Sequence, residues 1–412
     1  MALCRQWLDA LPVPQGVLKN VQEEGRETLL TMGLPTKDLE AWRLTDLNRF
    51  RKLLELPTFK KTSESRKYNS DTWAHPPREG IRIVLEPENN NGVSINLPNG
   101  IRRLTSSELK EHLNKSFNHQ ISNKDDITLA INRAATKEVL ALKVEGNNLP
   151  PIELIMPAHT HTLNPTRVII LMEEKAQLEL LQIVLGTDCS AHSHLIELHL
   201  KKHSKVNHGF IALGSGEACC LANLSIQQES YSDYSLTSIQ HGWSLSRLEP
   251  QIVQLNGKGN TTLKGLQVSR KNQQLSTHSI VDFEGPEGSL NQLQKVAAIE
   301  NSHSIFNGAI KVPQIAQRTN ASQLSRNLLL SNLARIDTKP ELEIVADDVR
   351  CTHGATVSQL QEDELFYLRS RGINAKQASG LLLKGYCQEI IEALPNDANR
   401  WDLINKLVHS SD

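Results

Sequence analysis

The chain has 412 residues, with 45 Lys+Arg against 46 Asp+Glu, and aromatic residues make up 4% of it. That length allows two or three domains around a large core. The absence of a basic excess and the scarcity of aromatic rings argue against general nucleic-acid binding, through phosphates or through base stacking. Apolar runs such as Val168–Met172 fall far short of the roughly 20 residues of a spanning helix. The opening MALCRQWLDALP carries Asp9, Pro12 and Pro14 where a secretory signal has a basic start and an apolar core. A soluble, cytoplasmic protein without membrane contact is expected. Cys4, Cys189, Cys219, Cys220, Cys351 and Cys387 are scattered and form no C-x-x-C, which fits neither a disulfide framework nor a four-cysteine zinc site.

In chain order, residues 1–80 read as an N-terminal helical region and linker. Leu8, Leu11, Val17, Val21 and Leu29–Leu30 recur at helical intervals, and Leu39, Trp42, Leu44, Leu47 and Leu53–Leu54 supply a second apolar face. The polar, breaker-rich stretch 61–80 reads as a surface loop or linker. Residues 81–150 form a mixed α/β lead-in, with a helix near Ser106–Leu113 opened by the capping-box spacing Thr105–Glu108. From 151 to 357 short β-branched segments alternate with turn-forming clusters: TRVIILM (166–172), LELLQIVLG (178–186), HLIELHL (194–200), TLKGLQV (262–268) and ELEIVAD (341–347). Their intervals of roughly 20–25 residues, with no long helix between, suggest a strand solenoid. A β-sandwich fits the same texture. Residues 358–412 turn helical again: Leu360, Leu365 and Leu368 share a face, Gly372 reads as a stop, and Ala378, Leu381–Leu382 and Ile390–Ile391 supply a further apolar face. Helices at both ends of the solenoid are expected to cover the unpaired edges of its terminal coils.

Phosphate-loop, G-x-S-x-G and H-E-x-x-H signatures are all missing. The pairs His159-x-His161 and His192-x-His194 could seat a metal on a strand, but exposed polar histidines are the better reading. His199, His203 and His208 lie among Lys201, Lys202 and Lys205, which suits a solvated turn, and Cys219–Cys220 point to opposite faces as small buried residues. Gly214-Ser-Gly216 and Gly257-Lys-Gly259 read as turns. The densest stretch is 318–356, where a strand runs into Asp347–Asp348 and then Cys351-x-His353. Thiol and imidazole at i, i+2 on extended backbone share a face, and both bind iron in iron–sulfur clusters. A capped strand end with a buried cysteine and a hydrogen-bonded histidine is the alternative.

The run Leu328–Gly372, LLLSNLARIDTKPELEIVADDVRCTHGATVSQLQEDELFYLRSRG, closely resembles the C-terminal signature of the SufB/SufD family of iron–sulfur cluster assembly proteins. FNGAIKV (306–312) with AQRT (316–319), LNGKGNTTLKGL (255–266), SLSR (244–247) and PTKDLEAWRLTDL (35–47) resemble further family elements, so the likeness covers most of the chain. No N-terminal cysteine cluster is present, and Gly354 stands where SufB chains carry a glutamate. Both place the chain on the SufD branch.

The resemblance implies a mainly β protein: a right-handed parallel β-helix core (151–357) flanked by N-terminal and C-terminal helical domains. It implies a non-catalytic scaffold that pairs with SufB through the β-helices. The SufC ATPase is expected to bind the C-terminal helical domain (358–412), at Leu365, Phe366, Tyr367, Leu368, Arg369, Arg371 and Gly372. His353 is the implied cluster or iron contact, with Cys351 less certain beside it. No tightly bound cofactor is expected, only a transient iron–sulfur cluster shared with SufB, and the isolated chain could form a homodimer. A polysaccharide-active β-helix enzyme is the rival reading, but the clustered carboxylates of such enzymes are not visible. A purely structural partner of SufB is the other. The family's mid-core pattern is broken at STHSIVDFEGPEG (276–288), where Phe283 replaces a histidine, and at SRLE (246–249).

Overall fold

From residue 140 onward strand after strand pairs in parallel with the strand one coil away. The computed structural model describes residues 2–58, 74–85, 96–116, 126–157 and 159–408; of the linker expected over 61–80, residues 61–73 lie outside the described residues. Three helices come first, α1 (Ala2–Ala10), α2 (Lys19–Met32) and α3 (Leu47–Glu55). The lead-in follows with β1 (Ile81–Val84), β2 (Ile101–Arg103), α4 (Ser106–Ser116) and α5 (Ile127–Ala135). The expected capping box opens α4: Glu108 Oε2 accepts from the Thr105 amide at 2.9 Å, and the Glu108 amide donates to Thr105 Oγ1 at 3.3 Å.

Sixteen strands then wind as coils: β3 (Leu140–Val144), β4 (Ile152–Met156), β5 (Leu163–Met172), β6 (Gln177–Leu185), β7 (Ala191–Leu200), β8 (Lys205–Leu213), β9 (Cys219–Gln228), β10 (Asp233–His241), β11 (Leu245–Leu255), β12 (Asn260–Ser269), β13 (Gln274–Glu284), β14 (Ser289–Ala298), β15 (His303–Val312), β16 (Asn320–Leu329), β17 (Arg335–Ile344) and β18 (Arg350–Gln359). Odd strands from β3 onward build one sheet and even strands from β4 onward the other. Consecutive strands thus always lie in opposite sheets, which is a parallel solenoid of about 8 turns and not an antiparallel sandwich. The pairing steps from Leu163 to Ala191, from Cys219 to Leu245 and from His303 to Arg335 make one coil 26 to 32 residues long. The expected 20–25 falls short because each coil holds two strands of about ten residues and two turns, and the segments noted in the sequence came from both sheets.

One corner of the coil carries Lys175, His203, Tyr231, Lys258, Glu287 and Arg318, all left-handed with φ between 57° and 63°. These residues stack. The His203 ring lies parallel to Tyr231 at 5.0 Å, Lys258 Nζ donates to Tyr231 Oη at 3.0 Å, and Arg318 pairs with Glu287. Such contacts offset the roughly 1–2 kcal/mol that each left-handed L-residue costs.

The helices cover sheet faces rather than the terminal edges assigned to them from sequence. Leu8, Leu29, Phe50 and Ile131 bury against Leu163, Ala191, Leu221 and Leu245 on the odd sheet. At the other end of the chain come α6 (Glu362–Ser370), α7 (Ala375–Ile391) and α8 (Leu403–Val408). Leu383, Ile390, Trp401 and Leu407 pack against Ile183, Ile211, Ile239 and Leu266 on the even sheet. This segment runs back along the solenoid to its first coils, where the buried Glu153 carboxylate binds Arg82 (2.5 Å), Arg400 (2.9 Å) and Trp401 Nε1 (2.9 Å). Gly209 permits the approach, since a Cβ there would lie 2.8 Å from Pro395. The physical reason for the correction is that a strand edge needs main-chain partners, whereas these helices present apolar stripes. Among the described residues no helix is long and apolar enough to cross a membrane.

Inside the coils the core is aliphatic at first, with Leu154, Ile170, Leu180 and Leu198. His192, His194 and His208 are fully buried there, not exposed or in a solvated turn, because their strand positions face the lumen. A chain of hydrogen bonds satisfies two of them. His194 bonds Thr166 Oγ1 at 2.8 Å and Gln182 Nε2 at 3.2 Å, and Gln182 Oε1 bonds His208, whose other nitrogen meets Tyr234 Oη at 2.9 Å. Both rings are therefore neutral. Burial lowers His194 and His208 to about 3 and His192 to about 4.

Unfolded imidazoles protonate near pH 6.5, so the stability these rings confer is complete above that value and drains as the pH falls toward their folded values. At about pH 5 each ring costs about 2 kcal/mol. Urea midpoints of the full chain should drop between about pH 7.5 and pH 5, and His208→Gln should show a smaller drop than the parent. Equal drops in parent and variant would refute the assignment.

Candidate functional site

β18, RCTHGATVSQ, is a ten-residue strand whose alternate residues share a face. Cys351 pairs with Ala321 of β16, which belongs to the lumen core, and His353 pairs with the buried Gln323. Both side chains of Cys351-x-His353 therefore lie on the lumen side of the last coil. Cys351 is half-buried against the core, whereas His353 is exposed because no further coil covers it. Burial pushes the Cys351 thiol up, against a hydrogen bond from the Ala321 backbone that pulls it down.

The last coil is open. β17 pairs with β15 and β18 with β16, and among the described residues neither has a strand on its other side. The opposite end is blunted, since the three-residue β2 caps β3 in antiparallel fashion and the four-residue β1 covers β4. Around the open edge Leu333, Ile344, Val345 and Val357 are exposed apolar residues. On the outer face of the odd sheet His303 Nε2 meets Asp337 at 2.6 Å, and Asp337 also binds Arg335 at 2.8 Å. Among the described residues no three or more His, Cys, Asp or Glu side chains gather as a metal site. Cys351 and His353 are the two donors that β18 offers.

The second group of sequence-predicted residues sits elsewhere. Leu365, Phe366, Tyr367, Leu368 and Arg369 are on α6, and Arg371 and Gly372 follow in its terminal turn, where Gly372 adopts φ +84°. No residue of α6 is buried, and Phe366 is 73% exposed. The Arg371 guanidinium stacks 4.6 Å from the Tyr367 ring centroid. By contrast α7 is clamped: buried Lys295 donates to the Tyr386 carbonyl at 2.9 Å and pairs with Glu389 at 2.5 Å, and Tyr386 Oη donates to the Arg326 carbonyl at 2.6 Å.

Comparison with known proteins fits this geometry. The family model "SUF system FeS cluster assembly, SufBD core domain" matches residues 155–386. The chain belongs to the SufBD family. It is similar to an iron–sulfur cluster assembly SufBD family protein of Synechocystis, at 31% identity over 92% of this chain and 88% of that protein. It is similar to the protein ABCI7, chloroplastic, of Arabidopsis thaliana, at 29% identity over 94% of this chain and 85% of that one. Over 38% of the chain and 37% of the relative it is 36% identical to the iron–sulfur cluster assembly protein SufD of Escherichia coli. Membership of the SufBD family makes this an iron–sulfur cluster assembly protein.

Sequence reasoning missed what lies beneath the family's terminal strand. Gln292, Gln323 and His353 form one column across β14, β16 and β18. They stand 31 and 30 residues apart, so aligning the sequence at the true coil period would have exposed the column. Phe283, the mid-core departure, is fully buried in the lumen.

Thiol labelling checks this description. With iodoacetamide on the native chain, exposed Cys189 should react first and Cys351 more slowly, while Cys4, Cys219, Cys220 and Cys387 stay protected until denaturant is added. Mass spectrometry of the labelled peptides gives the order. Cys351 reacting as slowly as the four buried thiols would mean that the last coil is covered.

Proposed function

We propose that this chain is the SufD-type, non-catalytic scaffold subunit of a SufB–SufC–SufD complex, and that nascent iron–sulfur clusters assemble where its open last coil meets SufB. The supporting observation is the bare edge of β17 and β18 with Cys351 and His353 on its lumen face. An unpaired row of N–H and C=O groups is a template for another chain's strand. Clusters are held by several protein donors, and β18 offers two, so the second subunit completes the set. SufB supplies that edge; without it, the same edge accepts a second copy of the chain. His353 is the iron contact, and Cys351, half-buried and with a raised pKa, is the weaker donor. Imidazole binds iron in its neutral form and leaves more readily than thiolate, which suits a transient cluster that is substrate rather than resident cofactor. The complex works in the cytoplasm.

SufC grips α6. Phe366, Tyr367 and Leu365 give the helix apolar surface that the chain itself does not bury. Leu360 and Gln361 alone separate α6 from β18, so a pull on α6 reaches the strand that carries His353.

Two measurements test the reading. In a complex reconstituted with SufB and SufC, His353→Ala should lower cluster yield more than about tenfold while size-exclusion shows the complex intact. An unchanged yield in an intact complex would sink the ligand assignment and leave a purely structural partner of SufB. Phe366→Asp should abolish co-elution with SufC and keep co-elution with SufB. Retention of SufC by that variant would move the ATPase site off α6.

A further inference from the structure

The lumen changes chemistry toward its open end, and the change is directional. Gln292 Nε2 donates to Ser279 Oγ at 2.7 Å, and Gln323 Nε2 donates to Gln292 Oε1 at 2.8 Å. These side chains run as a ladder from β13 through β14 to β16, one coil after another. All three are buried. The ladder ends on Gln323 Oε1, a buried acceptor with no partner. A bare buried acceptor is costly, on the order of 1–3 kcal/mol; Gln254 and Gln267 also leave their Oε1 bare, but of the three only Gln323 stands next to His353 in the column.

The Gln323 amide is also held in place from across the lumen. Gly308 of β15 faces it, and a Cβ at that position would stand 2.3 Å from Gln323 Nε2. The glycine makes room for the amide and confines it to the slot between Gly308 and Gln292. The next residue in the Gln323 column is His353, on the neighbouring strand about 4.8 Å away.

We propose that Gln323 is a positioning residue for His353: when the exposed imidazole turns in over the last coil, the free Oε1 accepts its N–H and the lone pair of the other ring nitrogen is directed outward. A metal-binding imidazole generally gives its second nitrogen's proton to such an acceptor, which fixes the tautomer and the ring plane. The amide ladder performs that task from inside the fold, without placing a charge beneath the site. The inference deepens the reading of His353 as the cluster-facing group and rests on it.

The test uses the full chain with 15N-labelled histidine, the His353 signal being assigned by its loss in His353→Ala. At about pH 8 the parent should show one dominant neutral tautomer of His353, whereas Gln323→Met should show both. Gln323→Glu should restore the parent pattern. Its carboxylate accepts from Gln292 if that amide turns over and takes the Ser279 hydroxyl proton, and it still presents an acceptor to His353. Gly308→Ala, which displaces the amide without removing it, should resemble Gln323→Met. Circular dichroism confirms that each variant is folded.

In the complex with SufB and SufC, Gln323→Met should lower cluster yield about 10–100-fold and Gln323→Glu should recover most of it. A His353 tautomer ratio that is the same in parent and Gln323→Met overturns the proposal, even if His353→Ala abolishes cluster formation. If instead His353→Ala leaves the yield intact, the functional reading falls, and the tautomer ratio of the isolated chain still decides whether Gln323 positions the ring.

Discussion

A parallel solenoid satisfies its backbone by passing each coil's unpaired N–H and C=O groups to the next coil, and the last coil has nowhere to pass them. Most features of this chain follow from that constraint. The first coils are closed by strands of three and four residues, β2 and β1, too short to invite another chain. Among the described residues the last coil is left with two ten-residue strands bare on one side, bordered by Ile344, Val345 and Val357. A soluble protein ordinarily shortens, charges or covers such an edge. Here the edge is long, and the chemistry-bearing pair Cys351 and His353 stands on it.

The lumen is graded to match. Near the first coils it is aliphatic, and its buried histidines are tied off by neutral partners such as Thr166, Gln182 and Tyr234. Toward the last coil the same positions hold Gln267, Gln292, Gln323, Ser325 and Asn327. Amides and hydroxyls in a core cost stability unless each finds a partner, and some do: Gln267 Nε2 bonds Thr277 Oγ1, and Asn327 Nδ2 bonds the Thr356 carbonyl. The aliphatic end therefore supplies cohesion, and the last coils hold a set of linked amides and hydroxyls beneath the open coil.

How much of this was legible depended on whether a signal was local or periodic. Helix faces, the Thr105–Glu108 cap and the shared face of Cys351 and His353 are set within a few residues, and they were readable. The outward or inward orientation of His192, His194 and His208 was not. Their neighbours Ser190, Ser193, Lys201, Lys202 and Lys205 suggest solvent, and only the strand's register with the coils above and below places the rings in the lumen. The coil length was misjudged for a related reason: strands of both sheets look alike along the chain, so counting between them mixes half-coils with whole ones. Without the true period the column Gln292–Gln323–His353 is invisible, because its members are separated by an entire coil. The helices were assigned to the edges on a general argument about solenoid ends, and the particular apolar stripes of α3 and α7 match sheet faces instead.

Placing the helices on the faces has a mechanical consequence. From α7 to α8 the C-terminal segment is fastened along the even sheet at three places, on β14, β10 and β4: Lys295 holds Tyr386 and Glu389, the Thr237 hydroxyl reaches the Ala393 carbonyl at 3.1 Å, and Glu153 holds Arg400 and Trp401. Force applied to α7 is thus spread over most of the solenoid. α6 has no buried residue and is bounded by Leu360–Gln361 on one side and Gly372 on the other. Its covalent neighbour on the N-terminal side is β18, a strand that is paired along one edge alone among the described residues. A helix with no buried residue is therefore joined by a two-residue link to a strand of the open coil. A pull on α6 thus reaches the strand bearing Cys351 and His353 through that link, and α7 through the turn at Gly372.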